Sequence, residues 1–93
     1  MANNTKWGEF FAEIQSLGIS LEFKLIDDEE AMLCQRIWCP VPNYVEGGRM
    51  GPYPFYWVEW VRSDEVSSVE TLAKKVGLEC IVDEAKATVY GYR

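Results

Sequence analysis

The first pattern along the chain is a set of apolar residues at spacings of three and four. These positions are Trp7, Phe10, Phe11, Ile14 and Leu17. Such a stripe is typical of a helix that buries one face. We therefore predict a helix from about Lys6 to Leu17, with Asn4 or Thr5 as its N-cap and Gly18 as its C-cap.

Two stretches in which apolar and polar residues alternate come next. Residues 20–26 alternate cleanly and predict a strand with one wet face. Residues 31–39 predict a second strand, in which Arg36 and Trp38 share a face. Four acidic residues lie between the two stretches, and they predict an exposed hairpin turn. They are Asp27, Asp28, Glu29 and Glu30.

Residues 40–52 contain three prolines and three glycines, which interrupt regular structure. They predict a long irregular loop, and loops of this length often carry function. Tyr44, Arg49 and Met50 are residue types enriched at interfaces, so we expect this loop to contact a partner. The alternative is a connection with no role of its own.

The aromatic and β-branched stretch at residues 55–61 predicts the central strand of the sheet. Alternation divides it into one face with Phe55, Trp57, Glu59 and Val61, and another with Tyr56, Val58, Trp60 and Arg62. Neither face is polar throughout. We assign the helices to the face with Tyr56, Val58 and Trp60. The face with Trp57 must then meet the long loop, a second subunit or a partner protein.

The last third of the chain predicts a second helix and two strands. Ser67 and Glu70 match a capping box, Val69, Leu72, Ala73 and Val76 form an apolar stripe, and Gly77 fits a C-cap. Residues 79–83 and 87–92 read as short strands. The order α-β-β-β-α-β-β predicts one α+β domain spanning residues 1–93. Its antiparallel sheet has four or five strands, with two helices on one face.

Charge and composition restrict the function. The net charge is −6, and residues 1–30 hold seven acids against two lysines. Acidic proteins repel nucleic acid and anionic lipid, so we expect neither as a direct partner and favour a basic protein. The acidity could also serve solubility alone. The N-terminal residues lack a signal-peptide layout and the cysteines number three, which together predict a cytoplasmic protein with reduced thiols.

Enzyme chemistry is not expected. The chain has no histidine, the commonest general base, and its cysteines lack metal-ligand spacing. We therefore predict no catalytic residues, no metal and no cofactor. Arg36 lies near two cysteines, but that alone does not make an activated thiol. Glu59 could have a raised pKa within its apolar strand, or it could pair with Arg36 or Arg62.

Three short motifs resemble a family of small, uncharacterised bacterial proteins that form a domain of unknown function. They are Asn3-Asn4-Thr5-Lys6-Trp7, the pair Glu59-Trp60, and Val89-Tyr90-Gly91-Tyr92. This resemblance implies an architecture and almost no activity. In size, charge and aromatic content the chain is also similar to bacterial immunity proteins, which bind and block toxins.

The leading hypothesis is an immunity protein that occludes the basic active-site surface of a cognate toxin. The alternatives are a phage-derived inhibitor of host defence and a structural or regulatory homodimer. We predict a partner surface in which aromatic residues desolvate the contact and the acidic residues steer association. Its predicted members are Trp38, Tyr44, Arg49, Trp57, Glu59, Asp27, Asp28, Glu29 and Glu30.

Overall fold

The computed structural model describes residues 3–47 and 50–92, with the side chain of Met50 left out. Its helices are α1 (Asn4–Leu17) and α2 (Val66–Val76). The strands are β1 (Leu21–Leu25), β2 (Met32–Cys34), β3 (Ile37–Trp38), β4 (Tyr44–Gly47), β5 (Met50–Pro54), β6 (Val58–Ser63), β7 (Glu79–Asp83) and β8 (Lys86–Tyr90). A short 3₁₀ helix, Phe55–Trp57, leads into β6. The predicted α+β class is confirmed.

Five strands form an antiparallel sheet in the order β2-β1-β6-β8-β7. The strand predicted to be central, β6, is the middle one. Strands β3, β4 and β5 form a second, smaller antiparallel sheet. Phe11 of α1 stacks on Phe23 of β1, and α2 packs against β7 and β8. Both helices therefore cover one face of the larger sheet.

Helix α1 begins one residue earlier than a cap at Asn4 would place it. Its N-cap is Asn3, whose side-chain oxygen accepts a hydrogen bond from the backbone N–H of Lys6 at 2.8 Å. Gly18 ends the helix at a φ of 68°, a left-handed conformation that glycine adopts without steric cost. The apolar stripe is buried except at its last position, since Leu17 is 58% exposed.

The single strand predicted over residues 31–39 is wrong. The chain bends at Gln35 and Arg36, so β2 belongs to the larger sheet and β3 to the smaller one. The bend buries Cys34 and Ile37 together, although regular alternation would place them on opposite faces. The thiol of Cys34 donates to the carbonyl oxygen of Gly47 at 3.5 Å, which links the two sheets.

The long irregular loop predicted over residues 40–52 is also wrong, because it contains β4 and the start of β5. A turn closed by the N–H of Tyr44 and the carbonyl of Val41 leads into β4. Proline lacks an N–H, but β5 is an edge strand, where Pro52 and Pro54 are tolerated. Gly48 and Arg49 lie outside the described residues.

The central stretch does not alternate regularly. Phe55–Trp57 is helical, and a bulge at Glu59 interrupts β6, since Leu25 pairs with Val58 whereas Lys24 pairs with Trp60. The helices cover Val58 and Val61. The assignment of Tyr56 and Trp60 to the helix-covered side is therefore wrong. Tyr56 is exposed, and Trp60 lies on the open face opposite the helices.

Helix α2 ends as predicted but begins differently. Lys74 and Lys75 occupy its last turn, and Gly77 is the C-cap at a φ of 84°. The predicted capping box is wrong, because the helix starts at Val66 and has no side-chain cap from Ser67. The chain before it is held by Ser63, whose buried hydroxyl accepts from the N–H of Glu65 at 3.0 Å.

Leu72 is the position at which we expect truncation to test the packing of α2. Its side chain is 6% exposed in the core between α2 and the larger sheet. Leu72→Ala should lower the free energy of unfolding by about 2–5 kcal/mol, because it removes buried carbons and leaves a cavity. Urea unfolding at neutral pH measures the loss.

Thr71→Ala is the matched control, since Thr71 is exposed on the same helix. That change should alter the free energy of unfolding by less than about 0.5 kcal/mol. A loss below about 1 kcal/mol for Leu72→Ala would contradict the packing of α2 described above.

Candidate partner-binding surface

The acidic turn, defined as Asp27, Asp28, Glu29 and Glu30, connects β1 to β2. The N–H of Asp28 donates to the carbonyl oxygen of Leu25 at 3.1 Å and closes the first part of the turn. All four acidic side chains are exposed. Within residues 3–47 and 50–92, none of them has a basic side chain at ion-pair distance. The predicted turn is confirmed, and its charges are uncompensated in this part of the chain.

A backbone hydrogen bond fixes this turn against the 3₁₀ helix. The N–H of Ile26 donates to the carbonyl oxygen of Trp57 at 2.9 Å. The indole of Trp57 is half-buried and packs on Tyr53, with ring centroids 5.4 Å apart and planes inclined by 37°. Trp57 therefore lies next to the acidic turn.

A small cleft opens where the turn meets these rings. We call it the aromatic cleft, and its walls are Leu25, Ile26, Asp27, Asp28, Tyr53 and Trp57. Its volume is about 170 Å³, below the range of about 300–1,000 Å³ common for small-molecule sites. Aromatic faces and carboxylates both attract cations, so the cleft suits one cationic group better than a neutral metabolite.

Glu59 lies outside the cleft and already has a partner. Its Oε1 lies 3.1 Å from Nζ of Lys24, which also donates to the carbonyl oxygen of Leu25 at 2.7 Å. An ion pair is one of the two alternatives that we left open for Glu59, but the proposed partners Arg36 and Arg62 are wrong. The bulge in β6 turns Glu59 toward the neighbouring strand β1.

The other predicted surface residues lie elsewhere. Trp38 pairs with Glu46, and Tyr44 is two residues before Glu46 on the same strand, so the three share the outer face of the smaller sheet. Trp38 is 50% exposed there. Tyr53 pairs with the buried Val45 on the opposite face. The structure thus brings Trp57 together with the acidic turn but separates both from Trp38 and Tyr44. Arg49 lies outside the described residues.

The open face of the larger sheet is charged, although an apolar spare face was expected. Nε and Nη2 of Arg62 donate to the two carboxylate oxygens of Glu22 at 3.3 and 3.1 Å. Lys86 bridges Glu22 and Asp64, at 3.3 and 2.9 Å. The guanidinium carbon of Arg62 lies 4.8 Å from the centre of the Trp60 ring. These cations are neutralised by neighbouring acids of the same fold.

Thiol and metal chemistry find little support in the geometry. Burial raises the pKa of the thiols of Cys34, Cys39 and Cys80, whereas a nucleophilic cysteine needs a lowered one. No three or more potential metal ligands converge within the described parts of the chain. Within the same residues, no helix has the length and apolar character needed to cross a membrane.

Comparisons with protein-family models, with curated proteins and with solved structures give no match to this chain. Sequence analysis missed Tyr53 and Ile26 as cleft residues. Tyr53 had no usable signal, because the prolines on both sides of it fit a loop as well as an edge strand. Ile26 also had no usable signal, since it joins the cleft through a backbone hydrogen bond to Trp57, which is distant in the sequence.

Glu22 provides a test of the charged open face. The pKa of its carboxyl is held below the usual value of 4.5, chiefly by the hydrogen bond from Arg62. A lowered pKa in the folded state stabilises the protein above pH 4.5 and loses that effect as pH falls through the lowered value. Glu22→Gln should therefore cost about 1 kcal/mol at neutral pH, since the pair is only part-buried.

Urea unfolding at neutral pH and at about pH 3 measures this difference, which should shrink in acid. Glu79→Gln is the control, because Glu79 is exposed on the edge strand β7. An equal loss at both pH values would show that Glu22 acts by packing and not by charge.

Proposed function

We propose that this protein is an inhibitor that binds a basic protein and occludes its functional surface, as an immunity protein does with a cognate bacterial toxin. One observation carries the proposal. Two acidic residues without an ion-pair partner in the described structure, Asp27 and Asp28, line the same cleft as the half-buried Tyr53 and Trp57. Carboxylates attract a basic surface at long range, and aromatic rings supply contact energy once water is excluded.

The charge distribution supports a basic partner. On the open face, Lys24, Arg62 and Lys86 each pair with an acid of the same fold. The opposite charges of each pair cancel each other's field at distances beyond the Debye length, which is about 8 Å at physiological ionic strength. The acidic turn is not cancelled in this way, so its field extends into solvent. With a net charge of −6, the protein should attract cationic proteins through this turn.

The cleft is the centre of the proposed interface. A stable protein–protein contact buries about 800 Å² on each partner, so the surface must extend beyond the cleft onto neighbouring residues. Trp38 and Tyr44 lie on a different side of the smaller sheet from Tyr53. We therefore exclude Trp38 and Tyr44 from the centre and keep Trp57 as its aromatic anchor.

Charge neutralisation tests the steering role of the acidic turn. The partner is first captured from native cells with the tagged protein and identified by mass spectrometry, and association rates are then measured across a salt series. Replacing the turn's Asp and Glu residues by Asn and Gln should slow association about tenfold or more at low salt. It should also flatten the salt dependence and leave dissociation almost unchanged.

The control removes four acids elsewhere: Glu9→Gln, Glu13→Gln, Asp83→Asn and Glu84→Gln, all exposed. This control variant loses the same charge as the turn variant. If the position of the acids matters as well as the net charge, the control should slow association less than the turn variant does. Association by the unmodified protein that does not depend on salt would remove the electrostatic part of the proposal. A toxin gene beside this one would support the immunity role, whereas a phage cassette would favour inhibition of host defence.

Trp57 tests the short-range part of the proposal. Its ring is half-buried, and it packs against Tyr53 and against the edge of the core. Trp57→Ala should leave the fold intact, with a loss of stability below the cost of about 3–5 kcal/mol for a core aromatic. Binding to the captured partner should weaken by about 2 kcal/mol or more, as measured by calorimetry.

Trp38→Ala is the matched control, because it removes the same side chain from the outer face of the smaller sheet. Binding should be nearly unchanged in this variant. The opposite pattern, with binding lost on changing Trp38 and kept on changing Trp57, would move the interface to the smaller sheet. A Trp57→Ala chain that unfolds would show that the ring is core.

A further inference from the structure

We propose that the aromatic cleft is a receptor for a single arginine side chain of the basic partner. This inference rests on the proposed function, since it names the group that the partner inserts. The cleft has a volume of about 170 Å³, and two acidic and two aromatic residues are among those that line it. Its size suits the end of one long side chain, and its chemistry suits a cation that also presents a flat face.

The fold itself contains an arginine held by the same groups. Nε and Nη2 of Arg62 donate to Oε1 and Oε2 of Glu22, and the guanidinium lies 4.8 Å from the centre of the Trp60 ring. One carboxylate and one indole are thus enough to fix a guanidinium in this protein. The two interactions use different parts of the guanidinium, because the carboxylate accepts hydrogen bonds from its N–H edge and the indole packs on its flat face.

The aromatic cleft contains the same kinds of groups, but no arginine of the described residues lines it. Asp27 and Asp28 supply carboxylates, and Trp57 supplies the indole. The backbone bond from Ile26 to Trp57 holds the acidic turn next to the 3₁₀ helix that carries Trp57 before anything binds. An entering guanidinium would therefore find both partners in place, which lowers the entropic cost of binding.

Arginine fits better than lysine for geometric reasons. A guanidinium is planar, donates in a fixed fork and is weakly hydrated, so it can stack on Trp57 while pairing with a carboxylate. An ammonium is a strongly hydrated point charge that gains less from a half-buried aromatic wall. A free metal ion would find few ligands among these rings, since Trp57 offers none and Tyr53 offers only its phenol oxygen.

The test uses the whole protein and a single-residue probe. The indole N–H resonance of Trp57 is assigned in ¹⁵N-labelled protein through Trp57→Phe. Nα-acetyl-arginine methylamide is then titrated beside the lysine compound and the citrulline compound, which keeps the shape of arginine but has no charge. We expect a saturable shift of the Trp57 signal with arginine, a weaker one with lysine and none with citrulline.

The variant Asp27→Asn, Asp28→Asn should bind the arginine probe about tenfold or more weakly, because the change removes the charged acceptors. Asn is well tolerated in turns, and unchanged signals of the buried core show that the fold is kept. Asp83→Asn, Glu84→Asn is the control with equal charge loss in another exposed turn, and it should bind the probe as the unmodified protein does. The Trp60 signal is the internal reference, since its ring already faces Arg62.

Equal shifts with citrulline and arginine would overturn the proposal, as would an arginine response that survives in the Asp27→Asn, Asp28→Asn variant. Equal responses to lysine and arginine would overturn the choice of arginine. These results are separable from the proposed function. If the acidic turn controls association with the captured partner but the probe does not bind, the inhibitor role stands and the arginine receptor falls.

Discussion

The fold depends on the aromatic packing around Phe11. Its ring stacks on Trp7 at a centroid distance of 5.0 Å and on Phe23 at 5.6 Å, and it meets Phe55 at 5.3 Å. All four side chains are buried. One residue of α1 thus joins the helix, the larger sheet and the 3₁₀ helix. Since Trp57 belongs to that 3₁₀ helix, the packing of Phe11 against Phe55 also determines where the aromatic cleft opens.

Sequence patterns predicted the features that depend on neighbours a few residues apart. The stripe of α1, the alternation of β1, the exposed turn after it and the glycine ends of both helices follow from local periodicity and backbone freedom. The position of β6 at the centre of the sheet was also predictable, because its aromatic and β-branched residues favour a strand covered on at least one side. The acidic turn, which supplies two of the six residues that line the cleft, was identified for the same local reason.

The features that sequence patterns did not predict depend on pairing between residues far apart in the chain. The bulge at Glu59 offsets β6 by one residue and sends Trp60 to the open face, a shift that strict alternation cannot anticipate. Pro52 indicated a loop because the edge position of β5 is a property of the assembled sheet. The same limit explains why Trp57 was identified while its neighbour Tyr53 was not. The two residues meet only after the smaller sheet has formed.

One of the two edges of the larger sheet, β7, bears on how this protein contacts others. Strand β7 pairs with β8 on one side only. If β7 paired with a second copy of itself about Ile81, Glu79 of each chain would lie opposite Asp83 of the other. Like charges directly opposite each other destabilise a strand pair, so these acids oppose assembly through that edge. A homodimer formed by pairing of two β7 strands is therefore disfavoured.

Acidic residues therefore act differently in different parts of the surface. At β7 they oppose strand pairing, and on the open face Glu22 is occupied by Arg62 and Lys86. In the acidic turn, two exposed acidic residues without an ion-pair partner in the described structure line a cleft together with Tyr53 and Trp57. The hydrogen bond between Ile26 and Trp57 makes that arrangement a property of the unbound protein. A preformed site keeps more of its interaction energy for binding, which is why a cleft this small can anchor a larger interface.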